Sequence, residues 1–228
     1  MIERIVLNVY LRTQTLFSVG TGFRRGLLGS DVIIVRDEVT GLPYIPGTTL
    51  KGIIRKIVAQ IVPNSCSSVA TMSIDEPLVC GVAIEEAGSL SQEICPVCRC
   101  FGTPHVPGYI IVEDAHVVDE HREHLLKLAS QEAQYTHISI SRFLDAVERG
   151  KLWTCEYVPV GTLFRTRILC LDPDECLKML LVGLSLLSYE HAGRGGNLKV
   201  EKVEVIEGLN YVKRVVTELG LAELLNVQ

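Results

Sequence analysis

Ile5, Leu7, Val9 and Leu11 alternate with Arg4, Asn8, Tyr10 and Arg12, the period-two pattern of a half-buried strand near the start of the chain. A β-branched run from Val32 to Val35 reads as a second strand or extended segment, followed by Thr40-Gly41-Leu42-Pro43 and Pro46-Gly47, where glycine and proline set turns. Leu50, Ile53, Ile54, Ile57, Val58 and Ile61 then recur at three-four spacing, predicting an amphipathic helix opened and capped by Thr48 or Thr49. Residues 63 to 94 lose this periodicity and read as a serine- and acid-containing insertion. Residues 103 to 160 mix short strands and turns, with a helix near His121 to Ala133. Leu163 to Leu171 reads as a strand with Arg165 and Arg167 on one face. Asp172-Pro173 opens a second long helix, aspartate as N-cap and proline in the first turn, with Leu177, Leu180, Leu181, Leu184 and Leu187 as its buried stripe. A last strand, Leu198 to Ile206, and a short helix, Leu221 to Val227, complete the chain. With no internal repeat or linker, the order of elements predicts an α+β, ferredoxin-like (RRM-like) fold in one domain over residues 1–228, with an insertion at about 63–102.

Composition narrows the class. Apolar residues make up 47% of the 228, enough for a substantial core, and no apolar run is long enough to span a bilayer. The first residues lack the charged and apolar regions of a secretion signal, so a cytoplasmic protein with no membrane partner is expected. The net charge of −5 argues against a generally basic nucleic-acid binder. Cations instead gather locally, at Arg24-Arg25, Lys51 to Lys56 and Arg194 to Lys199, while acids concentrate elsewhere. A local basic groove is therefore expected.

Four features carry candidate chemistry, each beside a plainer reading. Open N–H groups at the first helix, with Lys51 and Arg55 one turn apart, form a phosphate cradle; the plain reading is a solvated basic helix face. Gly193-Arg194-Gly195-Gly196 permits close backbone approach to a phosphate and brings one cation, or else is a helix-to-strand turn. Cys95 and Cys98 have the spacing of a zinc-binding pair, or stay reduced or disulfide-linked. Completion of a zinc site needs two further ligands, for which Cys80, Cys66, Cys100 and His105 are candidates, whereas Cys155, Cys170 and Cys176 read as core. Gly29-Ser30-Asp31 is ordinary turn chemistry on its own. Asp37 is placed to bond a turn N–H or Arg36. The first histidine is His105, so nothing before it titrates near neutrality as a general acid or base.

The stretch from Asp31 through Arg36-Asp37, Thr40-Gly41-Leu42-Pro43-Tyr44-Ile45-Pro46-Gly47 and Leu50-Lys51-Gly52 to Arg55 closely resembles one family. Cys95-Pro96-Val97-Cys98-Arg99 before Phe101-Gly102, the run Val158 to Phe164, and the late glycine-rich turn resemble further blocks of it in the same order. The family is the RAMP superfamily, in particular the repeated backbone subunit that lines the guide RNA in type III CRISPR effector complexes. The resemblance implies an RRM-like palm and a protruding β-hairpin thumb within about 103–160, which in such complexes displaces a nucleotide from the guide–target duplex. It implies guide-RNA contacts at Thr48, Thr49, Lys51, Arg55, Gly193, Arg194 and Gly195, and structural zinc at Cys95 and Cys98, with Cys80. It also implies that Asp31 is the catalytic carboxylate, holding a divalent cation (Mg) for cleavage of paired target RNA. The implied partners are guide RNA, target RNA, further copies of the chain and other type III subunits. Two functions follow from it: a metal-dependent endoribonuclease, or a non-catalytic RNA-binding scaffold. The glycine-rich run is shorter here than the family's usual one.

Overall fold

A computed structural model describes residues 4–20, 34–62, 95–103, 106–120, 122–123, 125, 134–141, 146–192 and 196–224. Asp31, Cys66, Cys80, His105, Gly193, Arg194 and Gly195 lie outside them. Strand β1 (Ile5–Thr13) is central, antiparallel to β7 (Leu163–Cys170) on one side and to β9 (Gly196–Glu207) on the other. The sheet continues outward from β7 through β4 (Ala115–Val117) to β2 (Tyr44–Ile45), and from β9 to β8 (His191–Ala192), while β3 (Ile110–Val112) also pairs with β7. A separate two-stranded hairpin, β5 (Gln134–Ser141) with β6 (Ala146–Glu156), stands where the thumb was expected. The fold is α+β with an antiparallel sheet, as the sequence predicts.

Register explains the two faces of the sheet. Leu7 pairs with Ile168, Val9 with Thr166 and Leu11 with Phe164, and all six are buried. The pairs between them, Asn8 with Arg167 and Tyr10 with Arg165, point the other way, because successive side chains alternate across a strand. Helices α1 (Gly47–Ile61), α2 (Pro96–Phe101), α3 (Pro173–Ser185) and α4 (Leu209–Leu219) contribute to one core with the apolar face. Helix α3 can approach α1 closely because position 183 is glycine; a Cβ there would meet Ile54 Cγ2 at 2.6 Å. Among the described residues no helix is long and apolar enough to cross a membrane.

Several local expectations change. Helix α1 begins at Gly47 with Pro46 as N-cap, and neither Thr48 nor Thr49 makes a side-chain cap. Its buried stripe holds Leu50, Ile54, Ile57 and Val58, but Ile61, expected inside, is 50% exposed in the last turn. Among the described residues the expected helix from Leu221 is a 3₁₀ turn at Ala222–Leu224, and a helix that the sequence did not announce, α4, lies before Leu221. Its apolar positions Val212, Val215 and Val216 have the helical spacing, which the flanking β-branched strand pattern obscures. Of the run from Val32 to Val35, expected as a strand or extended segment, Val32 and Ile33 lie outside the described residues, and Ile34, like Arg36 after it, forms an isolated bridge. By contrast, Asp172 caps α3 as expected, accepting from the Glu175 N–H at 3.4 Å with Pro173 in the first turn.

Candidate nucleic-acid interface

The turn before α1 is built by Asp37. Its carboxylate accepts from the Val39 N–H (3.0 Å), the Thr40 N–H (2.7 Å) and the Thr40 hydroxyl, which hold its pKa below the ordinary carboxylate value. The structure thus takes the turn N–H option for Asp37. Arg36 instead donates to the Gly41 carbonyl at 3.2 Å and lies 3.7 Å from the Glu156 carboxylate at the end of β6. The same carboxylate accepts from the Ile34 N–H at 3.3 Å. Phe17 pairs with Val158, and the Val35 N–H donates to the Val19 carbonyl. The segments flanking residues 21–33 are therefore sewn together at the base of the hairpin.

The phosphate cradle is largely filled by the protein itself. Of the N–H groups that a helix start leaves open, that of Gly47 donates to the Asp114 carboxylate at 2.7 Å and that of Thr49 to the Pro46 carbonyl at 2.9 Å. Pro46 has no N–H, so Thr48 supplies the one backbone donor of this set without a bond among the described residues. A carboxylate at a helix N-terminus is favoured by the same partial charge that would attract phosphate. Asp114 is 67 residues away in sequence, so no local signal announced it. It can reach because position 47 is glycine: a Cβ would sit 2.1 Å from the Val112 carbonyl oxygen.

The basic residues of α1 separate into three kinds. Lys56 is paired with Glu190. Arg55 donates to Cys98 Sγ at 3.3 Å, using one of five guanidinium N–H groups. Among the described residues Lys51 has no carboxylate within ion-pair distance; it is half-buried, and its pKa is lowered first by burial and then by Arg55. Lys51 and Arg55 thus form a cationic pair of adjacent turns that no acid among the described residues neutralises.

The cysteine cluster departs from expectation at one ligand. Cys100 is bonded to Cys176, joining α2 to α3, so Cys100 is removed from the zinc candidates and Cys176 is a buried cross-link rather than plain core. Cys95 caps α2, its sulfur accepting from the Cys98 N–H at 3.5 Å. These two sulfurs suit a thiolate metal pair, but among the described residues no group of three or more ligands is assembled. Burial pushes the Cys170 thiol up to about 12, consistent with core. Gly102, which ends α2 with φ +83°, gives the Phe-Gly step its structural reason.

The Val158 to Phe164 block also fastens the fold. The Thr13 and Thr162 hydroxyls both donate to the Pro159 carbonyl at 2.8 Å, and the Gly161 N–H to the Thr13 carbonyl. On the other side, Gly196 packs on Phe17, which a Cβ would strike at 2.4 Å. The hairpin, the end of β1 and the exit of the glycine-rich turn thus meet at one place.

Residues 11–198 match the sequence model of the RAMP superfamily. The chain belongs to the RAMP superfamily. Over 180 residues it is 29% identical to a protein named CRISPR system Cms endoribonuclease Csm3 from Methanothermobacter thermautotrophicus, a match covering 77% of this chain and 72% of that one. A chain of the cryo-EM structure of the Type III-B Cmr-beta bound to cognate target RNA shares the fold, with a TM-score of 0.53 at 14% identity over 88% of this RAMP chain and 96% of that one.

Proposed function

We propose that this RAMP protein is an RNA-binding backbone subunit of a type III CRISPR effector complex, and that it cleaves target RNA paired to the guide through Asp31. The observation that carries the reading is the likeness, over most of both chains, to a protein named as an endoribonuclease of such a system. The cationic pair Lys51 and Arg55, unneutralised by acids among the described residues, supports a guide-phosphate contact on α1, with the Thr48 N–H as the backbone donor left without a bond among those residues. The placement of the segments on either side of residues 21–33 supports a role for Asp31, because Ile34 is bonded to Glu156, Val35 to Val19, and Phe17 to Val158 at the base of the hairpin. A divalent cation at Asp31 would supply positive charge to the attacked phosphodiester. The hairpin β5–β6 is the thumb of this reading, and Arg194 with its glycines the second guide contact. Structural zinc at Cys95 and Cys98, with ligands among Cys66, Cys80 and His105, belongs to the same proposal.

The test is Asp31→Asn in the complex assembled with guide RNA and copies of the chain. Magnesium-dependent cutting should fall at least about a hundredfold, with guide content unchanged. Cutting at the full rate with the variant would leave the scaffold function alone. Absence of small RNA from the native complex would remove both.

A further inference from the structure

Arg165 and Arg167 have no part in the interface described above, and they differ from eight other cations among the described residues. Arg4, Arg12, Arg36, Lys56, Arg99, Arg122, Lys178 and Lys202 are each in an ion pair. Arg165 and Arg167 are exposed on the open face of β7, and no carboxylate among the described residues lies within ion-pair distance of either. Glu207 feels Arg167 only at longer range, its oxygens accepting from Nε and Nη2 of Arg4.

These arginines border a cleft of ≈ 560 Å³ on the open face, a volume typical of small-ligand sites. Its acids are mostly committed. Asp37 is bonded within its turn, Asp114 caps α1 and Asp119 pairs with Arg122, leaving Glu113 as the remaining one. A cross-strand row passes the cleft: Tyr44 beside His116, His116 beside Arg165, Arg165 beside Tyr10, and Tyr10 beside Lys202. The Tyr44 and His116 rings stack at 5.7 Å with 22° between planes, and Lys202 lies over the Tyr10 ring.

We propose that this open face is a second contact surface for single-stranded RNA, in which Arg165 and Arg167 take neighbouring phosphates and His116 and Tyr10 offer rings to the bases. Two residues along one strand face are about 6–7 Å apart, a separation that successive backbone phosphates can match. Ring platforms interleaved with cations are the general means of holding a single strand without reading its sequence. Unpaired guanidinium groups favour phosphate as the occupant over the acid-rich remainder of another copy, where the ring row would have no use. The inference rests on the RNA-binding reading above, but places a contact on the face away from the helices.

The test measures binding of a fluorescent single-stranded oligoribonucleotide to the full chain across a salt series. It compares the natural chain, R165A/R167A, R165K/R167K, K51A/R55A and the control K213A/R214A on α4, with thermal melting to verify that each folds. R165A/R167A should bind roughly tenfold more weakly, and the slope of log affinity against log salt should flatten by about 1.4, that is 0.7 for each of two contacts. R165K/R167K should keep the slope, and K213A/R214A should match the natural chain. An unchanged affinity and slope for R165A/R167A overturns the proposal, and if K51A/R55A alone loses binding, the α1 reading stands without it. If only R165A/R167A loses binding, the open face stands and the α1 contact fails. No RNA binding by the natural chain, or self-association abolished by R165A/R167A, also overturns it.

Discussion

Leu7, Val9 and Leu11 are fully buried, whereas Asn8, Tyr10 and Arg12, one step along the same strand, keep contact with solvent. The two faces of the sheet therefore obey different physics. On the covered face, stability comes from apolar area removed from water and from close packing under α1 and α3. On the open face, a pair such as Arg12 with Glu201 or Arg4 with Glu207 is solvated and contributes little to folding. Arg165 and Arg167, in no ion pair among the described residues, stand on that face.

The largest effect expected from this contrast is on the covered face. Leu11→Ala should cost about 2–5 kcal/mol in denaturant unfolding, through lost burial and the cavity left behind. Arg167→Ala, on the open face, should change stability by less than about 0.5 kcal/mol. Equal losses at the two positions would mean that the open face is packed against something, and the contrast would break.

How far this was readable in sequence follows the same division. The alternation in β1 and the leucine stripe of α3 are local and periodic, so the core strands and α3 were visible in the order of residues. Which polar groups are already occupied was not. Asp114 fills the start of α1 from 67 residues away, Glu156 reaches Ile34 across 122, and Cys176 finds Cys100 across 76. Sequence spacing presents Lys51, Arg55 and Lys56 as one basic run, and only the fold pairs Lys56 with Glu190 while leaving Lys51 without an acid among the described residues.

The cross-link lies within the helical layer and sharpens the contrast there. Closing a loop of 76 residues should stabilise by about 2–4 kcal/mol, chiefly by restricting the unfolded chain. Cys100→Ser with Cys176→Ser should lower the denaturant midpoint accordingly, leaving oligoribonucleotide binding by the folded protein unchanged. A loss of RNA affinity without a loss of stability would show that the helical layer reports to the interface.

A smaller effect is expected where the helical layer meets the sheet edge. Asp114→Ala removes the acceptor from the Gly47 N–H and a favourable charge from the start of α1, for about 1 kcal/mol of stability. The same change frees a backbone donor beside Lys51. RNA binding should therefore strengthen a fewfold as stability falls, a combination that simple structural damage does not produce. If both fall together, the carboxylate is only a cap.

The smallest effect separates the two cationic surfaces by pH. Lys51 titrates below 10.5 in the folded protein, because burial and the neighbouring Arg55 disfavour its charge. Between its folded value and 10.5 the unfolded chain holds a proton that the folded one has released, so this residue makes stability rise slightly with pH in that window. Its phosphate contact has the opposite trend, fading as pH climbs through the folded value. An arginine side chain keeps its charge throughout this range, so the decline belongs to the α1 contact. RNA affinity measured from neutral pH towards 10.5 should decline in the natural chain, persist longer in Lys51→Arg, and show the same decline in R165A/R167A from a weaker starting point. A decline of the same midpoint in Lys51→Arg would assign the titration to another group and detach Lys51 from the strand.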